Sequence, residues 1–141
     1  MSASYEGRCH CGALGFSYTT NVPANGWSVR ACQCSFCRAH AARCTSDPNG
    51  SVRFDVAKPD ALVRYSFALR TAEFLLCGIC GVYLGAVLST QLGTFATVNL
   101  NTLTRTIPNL PVAEPVSYEA ESNEQRVARR ESRWTPVLPA A

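Results

Sequence analysis

Seven of the eight cysteines fall into three short runs, Cys9-x-Cys11, Cys32-x-Cys34-x-x-Cys37 and Cys77-x-x-Cys80, and only Cys44 stands alone. Glycines sit beside the sulfurs at Gly12, Gly78 and Gly81. The opening Met1-Ser2-Ala3-Ser4-Tyr5-Glu6 lacks a basic segment followed by an apolar one, so the sequence predicts a cytoplasmic protein. In a reducing compartment structural disulfides are rare, and clustered thiols point first to metal ligation or catalysis. Unliganded buried thiols and disulfides are the competing readings.

A tetrahedral zinc ion holds four ligands, with Zn–S near ~2.3 Å and neighbouring sulfurs therefore about 3.8 Å apart. In Cys77-Gly78-Ile79-Cys80-Gly81 the backbone turns so that two thiolates converge, and the glycines permit the positive φ of a tight knuckle. In Cys9-His10-Cys11 the two thiols share one strand face about 6.5 to 7 Å apart, so the chain has to bend, and Gly12 can supply the bend. His10 then points to the opposite face and reads as a neighbour. Joining Cys9 and Cys11 to Cys77 and Cys80 would close a four-thiolate site around 65 intervening residues, a structural cross-link with no place for substrate. Grouping Cys9, Cys11, Cys32 and Cys34 round one ion is also open on spacing.

Cys32, Cys34 and Cys37 supply three ligands from six residues, the number a catalytic zinc uses when its fourth position takes water or substrate. A thiol entering that position would be held as a nucleophile, and a carbonyl there would be polarised. His40 or Cys44 could instead close the shell and make the site structural. Arg38 could offset the trithiolate charge or bind an anionic group, and Phe36, inside the ligand loop, could wall the open position.

The formal net charge of +3, from 13 basic and 10 acidic residues, invites a nucleic-acid partner until the metal is counted. Two divalent ions on seven thiolates add four positive and seven negative charges, which brings the total to zero. Only Lys58 is a lysine, and no block of basic residues interleaved with aromatics tracks a phosphate backbone, so nucleic-acid binding is not expected. With 47% hydrophobic and 16% charged residues the composition is that of a soluble globular protein, and the length suits one domain over residues 1–141. No apolar run reaches the ~20 residues of a membrane span.

Through residue 100 the sequence predicts short strands at 13–19, 27–31, 51–56, 60–67, 72–76, 82–88 and 92–98. Asp47-Pro48-Asn49-Gly50 and Lys58-Pro59-Asp60 supply turns between them. Pro108, Pro111 and Pro115 then argue against regular structure, and residues 119–133, rich in Glu, Gln, Ala and Arg, predict one short C-terminal helix. Residues 121–130 have little to bury and read as a solvated surface segment, while Trp134 and Val137 dock the terminus on the body. Tyr5, Phe16, Trp27, Phe54, Phe67, Phe74 and Phe95 are assigned to the core.

In this order and at these separations, Gly7-Arg8-Cys9-His10-Cys11-Gly12, Cys32-Gln33-Cys34-Ser35-Phe36-Cys37-Arg38 and Cys77-Gly78-Ile79-Cys80-Gly81 resemble the glutathione-dependent formaldehyde-activating enzyme family. The likeness covers about residues 4–103 and leaves 104–141 as a tail. It implies a mainly β, Mss4-like fold stabilised by zinc, with two Zn²⁺ per chain. A structural zinc on Cys9, Cys11, Cys77 and Cys80, and a second, catalytic zinc on Cys32, Cys34 and Cys37, are what the resemblance implies. It further implies a carbon–sulfur lyase that adds glutathione reversibly to formaldehyde, giving S-hydroxymethylglutathione. Its partners would be a small-molecule thiol and an aldehyde, with no nucleic acid and no membrane. Two alternatives belong to other classes. A zinc-stabilised binding module or chaperone predicts two closed sites and an exposed apolar patch, and a thiol redox protein on Cys32, Cys34 and Cys37 predicts a reversible disulfide.

Overall fold

The computed structural model describes residues 2–139. From the N-terminus the chain runs β1 (Ala3–Arg8), β2 (Leu14–Thr20), β3 (Arg30–Cys32), α1 (Ser35–Ala39), β4 (Cys44–Thr45), β5 (Ser51–Val56), β6 (Leu62–Tyr65), β7 (Glu73–Cys77), β8 (Tyr83–Thr90), β9 (Gly93–Asn99), β10 (Glu114–Val116), α2 (Asn123–Arg133) and β11 (Thr135–Pro136). The fold is mainly β, as expected, with one short helix in the body and a longer one near the C-terminus.

Two sheets organise these strands. β1, β2 and β5 form a small antiparallel sheet, and the larger one runs β10-β3-β4-β9-β8-β7-β6, with β11 paired to β9 beside that path. The principal core joins the two sheets. It takes Leu14, Phe16 and Tyr18 from β2, Val52 from β5, Leu75 from β7 and Val98 from β9, each at most 4% exposed. Burying each of these large side chains contributes about 1.5 to 3 kcal/mol, which is why alternation along β2 selects one register. Trp27 closes one end of this core, meeting Tyr5 and Tyr18 edge-on at centroid distances of 4.8 and 5.4 Å. β8 lies between β7 and β9 and is buried throughout Tyr83–Leu88, so its apolar residues feed all three hydrophobic clusters rather than alternating with polar ones.

Three expectations need correction. Pro115 does not break regular structure: it sits in β10, a strand at the sheet edge that pairs in parallel with β3. Glu114 N donates to Val29 O and Gln33 N donates to Val116 O, so the missing proline N–H falls at the position that makes no ladder bond. Residues 121–130 are solvated on one face only, with residues 122–125 and Ala128 exposed. Within them the Arg126 and Arg129 side chains of α2 are only 16% and 15% exposed, turned inward over the body. Their charge hides this packing from a reading based on apolar periodicity. Phe67 and Phe74 are not core residues alone, since both line the cavity described below.

Trp134 does dock the C-terminal segment, 6% exposed against Ala72, Ala86 and Leu88, and Val137 N donates to Thr94 O. α2 starts from a capping box in which Ser122 Oγ accepts from Gln125 N at 3.1 Å and Gln125 Oε1 accepts from Ser122 N at 2.9 Å. Among the described residues no helix is long and apolar enough to cross a membrane.

Candidate functional site

The β1–β2 connection and the β7–β8 connection each deliver two thiols to one point. The Sγ atoms of Cys9, Cys11, Cys77 and Cys80 all lie within 4.8 Å of one another. Cys9 and Cys11 are 3.8 Å apart and Cys11 and Cys77 3.5 Å, close to the spacing set by four ~2.3 Å bonds to one tetrahedral ion. Gly12, at φ 84°, makes the bend that the Cys-x-Cys run requires, and Gly81, at φ 80°, makes the knuckle after Cys80. Gly78 departs from the expected positive φ; its importance is close packing, because an added Cβ would lie 3.2 Å from Val63 Cγ2 and 3.3 Å from Ala61 O. His10 is exposed and stands outside the sulfur group.

Backbone donors prepare these sulfurs for negative charge. Leu14 N donates to Cys9 Sγ at 3.3 Å, and Ile79 N and Cys80 N both donate to Cys77 Sγ at 3.4 Å. Desolvation opposes ionisation of Cys80, but backbone hydrogen bonds from Cys11 and Val82 outweigh it and draw that thiol down to about 6. Cys11 moves the other way, up to about 11: the Ala13 backbone hydrogen bond lowers it, and desolvation with the neighbouring thiols of Cys77, Cys9 and Cys80 outweighs that bond. Thiols that push one another apart in this way become four thiolates together only around a cation, and an all-sulfur tetrahedral set suits zinc.

The second group is built on α1. Cys32 ends β3, Cys34 is the N-cap of α1, and Cys37 lies one turn further along the helix. Cys34 Sγ accepts from Cys37 N at 3.4 Å, so the cap itself is a sulfur poised for negative charge. The three Sγ atoms lie within 4.8 Å of one another, and neither His40 nor Cys44 joins them. Hydrogen bonds from Cys32 and then Cys37 hold the Cys34 thiol far below its ordinary value; Cys37 is pushed up by Cys32 and then Cys34, and Cys32 is pushed up by Cys34. Three sulfurs that oppose one another's ionisation form a donor set that fits a cation with an open position.

α1 stops by a Schellman motif. Ala42 N donates to Cys37 O at 3.0 Å and Ala41 N to Arg38 O at 3.1 Å, with Ala41 in the left-handed region at φ 48°. His40 therefore turns away to pack on Phe36, with ring centroids 4.5 Å apart. Cys44 is buried in β4 beside Cys37 and Tyr83.

Cys32, Cys34 and Cys37 open into a cavity of 590 Å³. Phe67, Phe74 and Tyr83 form its aromatic wall, while Phe36, expected there, stands behind them at centroid distances of 5.6, 4.7 and 4.9 Å. Burial, and then the adjacent Cys44 and Cys37, push the Tyr83 hydroxyl well above the ordinary phenol range, so it stays protonated. Four arginines line the same cavity: Arg30 of β3 and Arg126, Arg129 and Arg130 of α2. Sequence reasoning missed them. The available signal was their i, i+3, i+4 spacing in α2, which puts all three on one helix face. Arg38 is exposed and lies outside the cavity lining.

Residues 4–115 match the family described as glutathione-dependent formaldehyde-activating enzyme. The match includes all seven clustered cysteines and ends before α2. Comparison with curated proteins gives no match. Among solved structures, a crystal structure of a Rhodobacter sphaeroides protein from Northeast Structural Genomics is similar at 26% identity and a TM-score of 0.59, over 79% of this chain and 99% of that one.

Proposed function

Because the chain belongs to the glutathione-dependent formaldehyde-activating enzyme family, we propose that it is a zinc-dependent carbon–sulfur lyase joining glutathione, or a similar thiol, to formaldehyde or a related small aldehyde. Cys9, Cys11, Cys77 and Cys80 hold a structural zinc ion, and Cys32, Cys34 and Cys37 hold a second one whose fourth position is left to substrate. The observation that carries this reading is three clustered sulfurs, joined by no fourth Cys, His, Asp or Glu among the described residues, facing a 590 Å³ cavity.

The reaction balances without an oxidant. The thiol sulfur bonds to the aldehyde carbon, the C=O π bond opens, and the thiol proton ends on the new hydroxyl. The bound ion supplies a Lewis acid that favours the thiolate or polarises the carbonyl. The chain's own residues do the rest. Phe67 and Phe74 give the cavity an apolar wall, and Tyr83 retains its proton as a neutral hydroxyl on it. Confining thiol and aldehyde together lowers the entropy cost of their encounter. Seven cysteines grouped as metal ligands accord with a reducing compartment, and we assign the protein to the cytoplasm on that ground.

The test combines metal content with turnover. The wild type should hold two zinc ions per chain and accelerate glutathione–formaldehyde adduct exchange measured by NMR. Cys34→Ser should remain folded with one zinc ion and lose the acceleration. Full turnover by Cys34→Ser would overturn the proposal.

A further inference from the structure

The cavity beside Cys32, Cys34 and Cys37 carries more positive charge than its own acids balance. Arg30, Arg126, Arg129 and Arg130 line it, against only Glu119 and Glu121. Glu121 is committed to Arg129 by two hydrogen bonds, 2.8 and 3.0 Å, and lies 3.8 Å from Arg126 Nε. Glu119 is exposed to solvent. Among the described residues no carboxylate lies within salt-bridge distance of Arg30 or Arg130.

These guanidinium groups are held in place yet incompletely bonded. Arg130 Nη1 donates to Thr71 Oγ1 at 2.6 Å, and its guanidinium sits over the Trp134 ring at 4.8 Å. Arg126 Nη2 donates to Tyr118 O at 2.9 Å. The Nε–H groups of both Arg126 and Arg130 are buried with no hydrogen-bond partner. Arg30 donates only to the neutral hydroxyls of Ser28, Ser46 and Thr97. A half-buried guanidinium without an anion is unfavourable, and here Arg30 and Arg130 contribute two to one concave surface, while Arg126 shares Glu121 with Arg129. Crowding shows in Arg130, which burial, and then Arg129 and Arg126, bring down to about 10. Arg129 does not add to the surplus: its Glu121 pair and its stacking on Tyr118, 3.5 Å from the ring centroid, brace the helix face.

The geometry points to a carboxylate-binding subsite formed by Arg126 and Arg130 of α2, with Arg30 across the cavity, that selects carboxylate-bearing thiols for the sulfur centre. This inference rests on reading that centre as a thiol site, and it assigns a role to α2, which lies beyond the matched residues 4–115. A planar carboxylate in the cavity gives Arg30 and Arg130 the anion they lack, through charge-assisted bonds, and offsets the surplus charge. An uncharged thiol of the same size gains neither.

The test needs no turnover. S-methylglutathione keeps the carboxylates of glutathione but has no thiol to ionise or add to an aldehyde. Titrated by calorimetry into the zinc-loaded full chain, it should bind, and its diethyl ester should bind about ten-fold more weakly or worse. Arg130→Gln and Arg126→Gln should each weaken the acid by about ten-fold or more while leaving the ester and the zinc content unchanged. Should either variant fail to fold, the acid-versus-ester comparison on the wild type still decides. Equal binding of acid and ester, or no binding of the acid, overturns the subsite. Selective acid binding with no adduct formation from glutathione and formaldehyde retains the subsite and removes the lyase reading, so the two failures are separable.

Discussion

Cys11 and Cys77 are 66 positions apart in the chain and 3.5 Å apart at their sulfurs. That contact fastens the turn after β1 to the turn after β7, and so clips the small sheet to the large one. A metal bound there binds only the folded chain, so its binding free energy becomes folding free energy. Cys77→Ser removes a buried ligand from the set of four and should destabilise the protein by at least about 4 kcal/mol, in the range reserved for loss of a metal. Urea unfolding at fixed zinc concentration measures it, and chelation of the wild type should reproduce most of the loss. An unchanged midpoint in Cys77→Ser would mean that the four thiols contribute no cross-link.

Cys44 should give the stability a specific dependence on pH. Burial pushes its thiol up to about 11 from an ordinary 9.0. The unfolded chain then loses the proton at a lower pH than the folded one, so the folded state binds more protons between those values. Stability from keeping Cys44 neutral is complete below pH 9 and is lost as pH rises towards 11, by about 2 to 3 kcal/mol for a shift of this size. Denaturant midpoints across this range should fall more steeply for the wild type than for Cys44→Ala. Parallel curves would show that the Cys44 thiol ionises as readily folded as unfolded.

How much of this was legible in the sequence follows from the range of each interaction. Three cysteine runs could be recognised because each is local, set within three to six residues, with a glycine beside Cys11, Cys77 and Cys80. Which runs meet is a matter of sheet order, and spacing left Cys9 and Cys11 free to join Cys32 and Cys34 until the β1–β2 and β7–β8 turns were seen together. Trp134 could be assigned to the body because a large aromatic beside Pro136 at the end of a polar segment has few other uses. α2 could be recognised as a helix but not as a wall. Arg126, Arg129 and Arg130 carry the charge of a solvated face, and only Val127 among their neighbours packs on the cluster around Trp134. β10 was hidden by Pro115, because propensity records the missing N–H and not the direction in which it points.

Ala41 carries a conformation better suited to glycine. It closes α1 at φ 48°, with Ala42 N bonded to Cys37 O and the Ala41 carbonyl accepting from Asn101 Nδ2 at 2.8 Å. Cys37 and Ala42 pack together in one buried cluster, the apolar contact that usually accompanies this motif. The left-handed conformation costs an L-residue about 1 to 2 kcal/mol, while glycine adds about 0.5 to 1 kcal/mol of backbone entropy to the unfolded chain. The first effect wins, so Ala41→Gly should stabilise the protein by about 0.5 to 1 kcal/mol. Ala41→Val should do the reverse, because a β-branched side chain tolerates positive φ less well than alanine. Thermal unfolding of the three proteins, each with its zinc content measured, tests the ordering Gly above Ala above Val. A glycine variant less stable than the wild type would mean that the backbone entropy glycine adds to the unfolded chain exceeds the relief of the αL conformation.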